Sequence, residues 1–102
     1  MIPLEYYLLL GLALFCIGAY GVITLRNGIR LLMCIEIMLN GVNVNFIAFS
    51  SYAPTESPQG QVFALFSIAV AAAEAAVGLA IMIAIYRVFR SVDMEDINLL
   101  KW

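Results

Sequence analysis

Histidine is absent, cysteine occurs twice, and charged residues number twelve in 102. Each scarcity removes a class of function. Without histidine, and with only Cys16 and Cys34, the chain lacks the ligand sets that hold zinc, haem or an iron–sulfur cluster. Five basic residues stand against seven acidic ones, net −2, with no basic stripe, which argues against a nucleic-acid partner. Charged residues make up 12 % and hydrophobic residues 65 % of the sequence, and mean hydropathy is +1.02. A soluble domain has about a quarter charged and about half apolar residues, so a soluble monomer is excluded. The length admits one domain, 1–102.

What remains is long apolar sequence. Ten of the twelve charges lie at the ends or in two short connections, leaving tracts 6–25 with no charge, 31–50 with one and 61–86 with one. Each reaches the ~20 residues that a helix rising ~1.5 Å per residue needs to cross a ~30 Å hydrocarbon core. Alternating patterns for a barrel are missing. The expected fold is therefore an all-α membrane protein with three transmembrane helices, over about 6–25, 30–50 and 61–86. A tight polar turn, Arg26-Asn27-Gly28, joins the first two, and a loop over 50–60 carrying Pro54, Pro58 and Gly60 joins the last two. The first tract is expected to stay as a helix rather than be cleaved as a signal, because no basic residue precedes it.

All five basic residues, Arg26, Arg30, Arg87, Arg90 and Lys101, fall on one side of this arrangement. The positive-inside rule then predicts a cytoplasmic turn and C-terminal tail, with the N-terminus and the 50–60 loop outside or lumenal. Cys16 and Cys34 read as small apolar packing residues.

Two acids stay inside the apolar tracts, Glu36 and Glu74. A carboxylate in hydrocarbon is costly on any scale and calls for a partner. No basic residue lies in the tracts, and Arg30, six positions before Glu36, misses the three- or four-residue spacing that would pair them. Either each glutamate is protonated, or another polypeptide or internal water solvates it. Both options suit a proton relay; the plainer reading is a protonated carboxyl that fastens helices together.

The surroundings favour the relay. Asn40 and Asn43 follow Glu36 by four and seven positions and share its face, whereas Asn45, nine positions on, points the other way. A carboxyl with two amides can hold water and pass protons along it. On the third helix Ser67 and Gly78 share the face of Glu74 among alanines, including Ala72, Ala76 and Ala80 at four-residue spacing. Small residues so placed allow close helix approach, which predicts that Glu74 sits in a packed interface. Measured from Arg30 and Arg87, the two carboxyls are expected about 9 Å and about 20 Å deep, a staggered pair about 10 Å apart along the membrane normal.

At these residues a resemblance emerges. The stretch Arg26-Asn-Gly-Ile-Arg30-Leu-Leu-Met-Cys-Ile-Glu36-Ile-Met-Leu-Asn40-Gly-Val-Asn43-Val-Asn45-Phe resembles the subunit 4L family of complex I-type NAD(P)H-quinone oxidoreductases. Gly60-Gln-Val-Phe and Ile68-Ala-Val-Ala-Ala-Ala-Glu74-Ala-Ala-Val-Gly-Leu-Ala resemble that family's third helix, and the tail Val92-Asp-Met-Glu95-Asp-Ile-Asn-Leu-Leu-Lys-Trp102 is similar to cyanobacterial members. The resemblance implies a membrane-arm subunit in the thylakoid membrane, where electron transfer to plastoquinone drives proton pumping. It implies an obligate hetero-oligomer with other membrane-arm subunits, whose iron–sulfur clusters and plastoquinone site lie outside this chain. The family's carboxylates carry over to Glu36 and Glu74, and its basic turn residue to Arg26. Many relatives have two adjacent basic residues in that turn, whereas Asn27 and Gly28 follow Arg26 here, so the carry-over stops short of Arg30.

Other readings use the same features. A multisubunit cation/proton antiporter subunit would employ the same glutamates, although the tail argues against it. A small multidrug exporter has four spans and its key acid in the first, which is uncharged here. A non-catalytic bundle would use the glutamates only as fasteners. Under any of them Gly11 and Gly18, seven apart, mark a packing face on the first helix.

Overall fold

The computed structural model describes residues 2–52 and 58–97. Four helices follow in order: α1 over Leu4–Thr24, α2 over Gly28–Tyr52, α3 over Gln59–Phe89 and a short α4 over Met94–Ile97. The first three are long and apolar enough to cross a membrane. All three expected spans are present, the first shifted to Leu4–Thr24 and the other two longer at both ends: Ser51 and Tyr52 are helical in α2, and α3 has 31 residues, about 46 Å at ~1.5 Å each. The middle of the expected 50–60 loop, with Glu56, and Lys101 lie outside the described residues.

Local chemistry sets the boundaries. Pro3, held at φ −59° and ψ 147°, precedes α1 and leaves its carbonyl to the Tyr6 N–H. At the other end Leu25 is extended, and its N–H closes on the Gly21 carbonyl. Asn27 then starts α2: its Oδ1 accepts from the Ile29 and Arg30 amides at 3.0 and 3.1 Å, covering donors that a helix start leaves unpaired.

The helices are apolar all round, so hydrophobicity does not say which face packs; residue size does. In α1, Tyr7, Gly11, Leu14, Gly18 and Gly21 recur at alternating spacings of four and three and lie against α2. Gly18 abuts the Cys34 carbonyl and Met38, Gly21 abuts the Cys34 sulfur, and Gly41 abuts the Gly11 carbonyl. Both cysteines are free, with Cys34 buried in this seam and Cys16 exposed. At the loop end Tyr7 and Tyr52 stack obliquely, and the Tyr52 hydroxyl donates to the Ile2 carbonyl.

The opposite side of α2 receives α3. Gly28 meets Met82, Gly78 meets Leu32, Gly60 meets the Phe46 carbonyl and Ser50, and Phe46 and Phe63 rings stand 6.2 Å apart. The three spans thus form a row with α2 in the middle, and most large apolar side chains of α1 and α3 face outward.

Beyond α3 the chain turns back. Arg90 adopts the left-handed conformation, φ 58° and ψ 23°, and its N–H caps the Tyr86 carbonyl. Residues 91–94 then pair with the α1–α2 turn: Gly28 N–H donates to the Val92 carbonyl at 2.7 Å and Met94 N–H to the Arg26 carbonyl at 2.8 Å. The C-terminal segment latches the turn, so both lie at one end of the bundle. Since a side chain at positive φ is penalised, Arg90→Gly is expected to stabilise the chain by about 1 kcal/mol. An unchanged or lower midpoint for SDS-driven unfolding in mixed micelles, read by circular dichroism, would count against this.

Candidate functional site

Glu36 and Glu74 come from the two faces of the α2–α3 seam. Leu32 packs on Gly78; four residues further toward the loop end, α2 carries Glu36 and α3 carries Glu74. The neighbouring contacts, Gly28 with Met82 and Gly60 with Ser50, keep the same antiparallel register. The two carboxyls therefore stand at the same height along the bundle, which corrects the expected 10 Å stagger. The physical reason is the length of α3. Arg87 lies five residues beyond Met82, the partner of Gly28, while Arg30 lies two residues inward from Gly28, so the two arginines mark different depths.

Burial separates the pair. Glu36 is half-buried, whereas Glu74 is exposed on the flank of α3. Glu74 borders an open groove of about 410 Å³ formed by Val70, Ala73, Val77, Gly78 and Ile81. Within this chain Glu74 is not enclosed: Ala71 is buried and Ala75 half-buried in the seam, but Ala72, Ala76 and Ala80 face outward. Four-residue spacing identified a small-residue stripe, and the stripe that meets α2 is its neighbour, through Gly60, Ala64, Ser67, Ala71, Ala75, Gly78 and Met82. Among the described residues neither carboxyl has a hydrogen-bond or ion-pair partner.

The asparagines divide as packing requires. Asn43 is 5 % exposed, and among the described residues its Oδ1 and Nδ2 both lack a partner. It lies seven residues beyond Glu36 on the α3 side, level with half-buried Ser67 of α3. Asn40, on the same sequence face, is exposed, because the edge of the seam runs between the two. Asn45 does point the other way, toward α1, where its Oδ1 is buried beside Gly11 without a conventional donor. Sequence spacing gave no weight to this contact, since Gly11 supplies only its Cα–H.

Arg26 is remote from both glutamates. It stands exposed in the latched turn, with Nε 3.9 Å from a Glu95 carboxylate oxygen, a loose surface pair. The latch itself had no sequence signal, because a bridge of this kind is made by backbone groups. Cys16 and Cys34, one exposed and one behind Gly21, do not converge on a ligand set for a metal cluster.

Three membrane-crossing helices in a row, with intramembrane carboxyls at one height and broad apolar outer faces, define an integral membrane subunit of a larger assembly. The particular family follows from comparison with known proteins. The model of NADH-ubiquinone/plastoquinone oxidoreductase chain 4L matches residues 6–102, and the chain belongs to that family. It is 63 % identical over 99 residues to NAD(P)H-quinone oxidoreductase subunit 4L of Nostoc sp., covering 97 % of this chain and 98 % of the relative. With the same-named protein of Leptolyngbya boryana it shares 60 % identity over 97 % of this chain and 98 % of the relative. The chloroplastic subunit 4L of Chaetosphaeridium globosum is 57 % identical over 97 % of this chain and 99 % of its own length. The chain is accordingly a subunit of an NAD(P)H-quinone oxidoreductase, an enzyme complex.

Proposed function

We propose that this subunit contributes to redox-driven proton translocation in the membrane arm of a photosynthetic complex I-like NAD(P)H- or ferredoxin-plastoquinone oxidoreductase, with Glu36 and Glu74 as the proton-carrying groups. The observation that carries the reading is the pair of partnerless carboxyls at one height on the α2–α3 seam. A group that relays protons must bind and release one, and a carboxyl neutralised permanently by a cation would do neither. Water held by the seam connects the two, and the exposed side of Glu74 is closed by a neighbouring membrane-arm subunit. Electrons pass elsewhere: iron–sulfur clusters and plastoquinone belong to other subunits, and the chain sits in the thylakoid membrane with its turn and tail on the cytoplasmic side.

Asn43 supports this arrangement as an anchor for internal water, since an amide with both ends unpaired in a dry seam is costly. Replacing it by leucine removes the anchor for that water. Asn43→Leu is expected to slow proton translocation several-fold with the complex still assembled. Unchanged pumping would show the amide to be a packing residue. Asn40, exposed in this chain, has a lesser, supporting part, and Arg26 steadies the turn.

Membrane-potential formation by the intact complex in sealed vesicles tests the central reading. Glu36→Gln and Glu74→Gln should assemble and still reduce quinone while failing to build normal potential. Normal pumping in both variants removes the relay and leaves the carboxyls as fasteners. The antiporter alternative lost its ground when the family matched an oxidoreductase subunit over residues 6–102.

A further inference from the structure

The turn end of the bundle holds a second cavity, unconnected with the glutamates. It has a volume of about 520 Å³ and is lined by Ile29 of α2, by Met82, Ile83, Tyr86 and Arg87 of α3, and by Arg90 and Val92 of the returning tail. The latch builds its upper wall, because the Val92 carbonyl is tied to the Gly28 amide. Its walls are graded. Met82 and Ile83 lie about one helical turn further toward the membrane interior than Tyr86, Arg87 and Arg90, which mark the rim.

The charges at that rim are unspent. Nearby acids are occupied within the tail: Glu95 faces Arg26, Asp96 accepts from the Ser91 hydroxyl at 2.8 Å, and Asp93 accepts from the Glu95 amide at 2.9 Å. Among the described residues neither Arg87 nor Arg90 has a carboxylate partner. The left-handed cap at Arg90 ends α3 here and folds the chain so that both arginines, three residues apart, border the same cavity.

We propose that this cavity binds one anionic glycerolipid, its phosphate or sulfonate head held by Arg87 and Arg90 and one acyl chain lying on Met82, Ile83 and Ile29. Guanidinium groups form bidentate hydrogen bonds to such oxyanions, and basic pockets between membrane helices at the positively charged end favour anionic head groups. The order of the walls selects a lipid over a soluble anion, because the apolar lining residues lie about one helical turn nearer the membrane interior than the cationic ones. An acidic protein segment would leave the apolar floor uncovered. The lipid would add a tie between the end of α3 and the start of α2, beside the latch and the Gly28–Met82 contact.

Photolabelling of the intact complex in nanodiscs tests this. Phosphatidylglycerol and phosphatidylcholine, each carrying the same diazirine-bearing acyl chain, are compared, and adducts in residues 82–90 are counted by mass spectrometry. Phosphatidylglycerol should label the segment roughly tenfold more than phosphatidylcholine. The preference should fall about threefold in Arg87→Gln, vanish in Arg87→Gln/Arg90→Gln, and largely survive in Arg87→Lys/Arg90→Lys. Excess inorganic phosphate should leave it unchanged. Equal labelling by the two lipids, a preference that persists in the double glutamine variant, or displacement by phosphate overturns the proposal. So does the absence of lipid adducts together with cross-links from this segment to another polypeptide.

Discussion

Glu36→Gln is expected to lower proton translocation per electron by roughly tenfold or more, with the complex assembled and quinone reduction still measurable. Glutamine keeps the shape and hydrogen-bonding capacity of a protonated glutamate, so a carboxyl that only fastened helices would be replaced with little effect. It cannot exchange a proton, so a relay through it stops. Glu36→Asp sharpens the test: it retains the titrating group but withdraws it by one methylene, and partial pumping is expected. Glu74→Gln should give a similar or smaller defect. The difference follows from placement, since Glu36 is half-buried in the seam while Glu74 faces outward into a groove, where a neighbouring subunit can bring a substitute group. Vesicle membrane potential, normalised to quinone reduced, separates these outcomes. Failure of both glutamine variants to assemble would favour fastening through an ionised carboxylate, which glutamine cannot replace.

Gly41→Ala carries the second large effect. Alanine is the better helix former by about 1 kcal/mol, so an unpacked site would gain stability from the change. At Gly41 the added methyl would lie 2.6 Å from the Gly11 carbonyl oxygen and 3.2 Å from the Phe15 amide nitrogen. Both are backbone atoms, and neither can rotate away. The helices must separate, and packing is what holds helices together in lipid, where no hydrophobic drive exists between them. A net loss of about 1–3 kcal/mol is expected, with reduced accumulation of the chain in membranes. Gly78→Ala provides the control, because its methyl would meet only the Leu32 side chain, at 2.9 Å, which can move. That variant should be close to neutral. Equal accumulation of both variants at wild-type level would refute the backbone-contact argument.

Legibility in the sequence varied with the kind of interaction. Span number and type could be read from charge alone, because burying an ionised group in hydrocarbon is so unfavourable that ten of the twelve charges mark the ends of three helices. Glu36 and Glu74 stood out for the same reason. Their relative height did not, since depth counted from Arg30 and Arg87 assumed helices ending together, and α3 runs on to Phe89. The asparagines show the same boundary: Asn40 and Asn43 occupy one face by spacing, but only Asn43 is enclosed.

The sequence by itself determined that this is a three-span membrane chain with two intramembrane acids, both consequences of transfer free energies that each residue carries wherever it packs. Tertiary structure decided which carboxyls share a level, which amide is sealed in, and that the tail latches the turn beneath Arg87 and Arg90. Those outcomes depend on the register between helices, set by which of several glycine and alanine stripes meet across a seam, and by backbone hydrogen bonds, which leave no pattern along the chain.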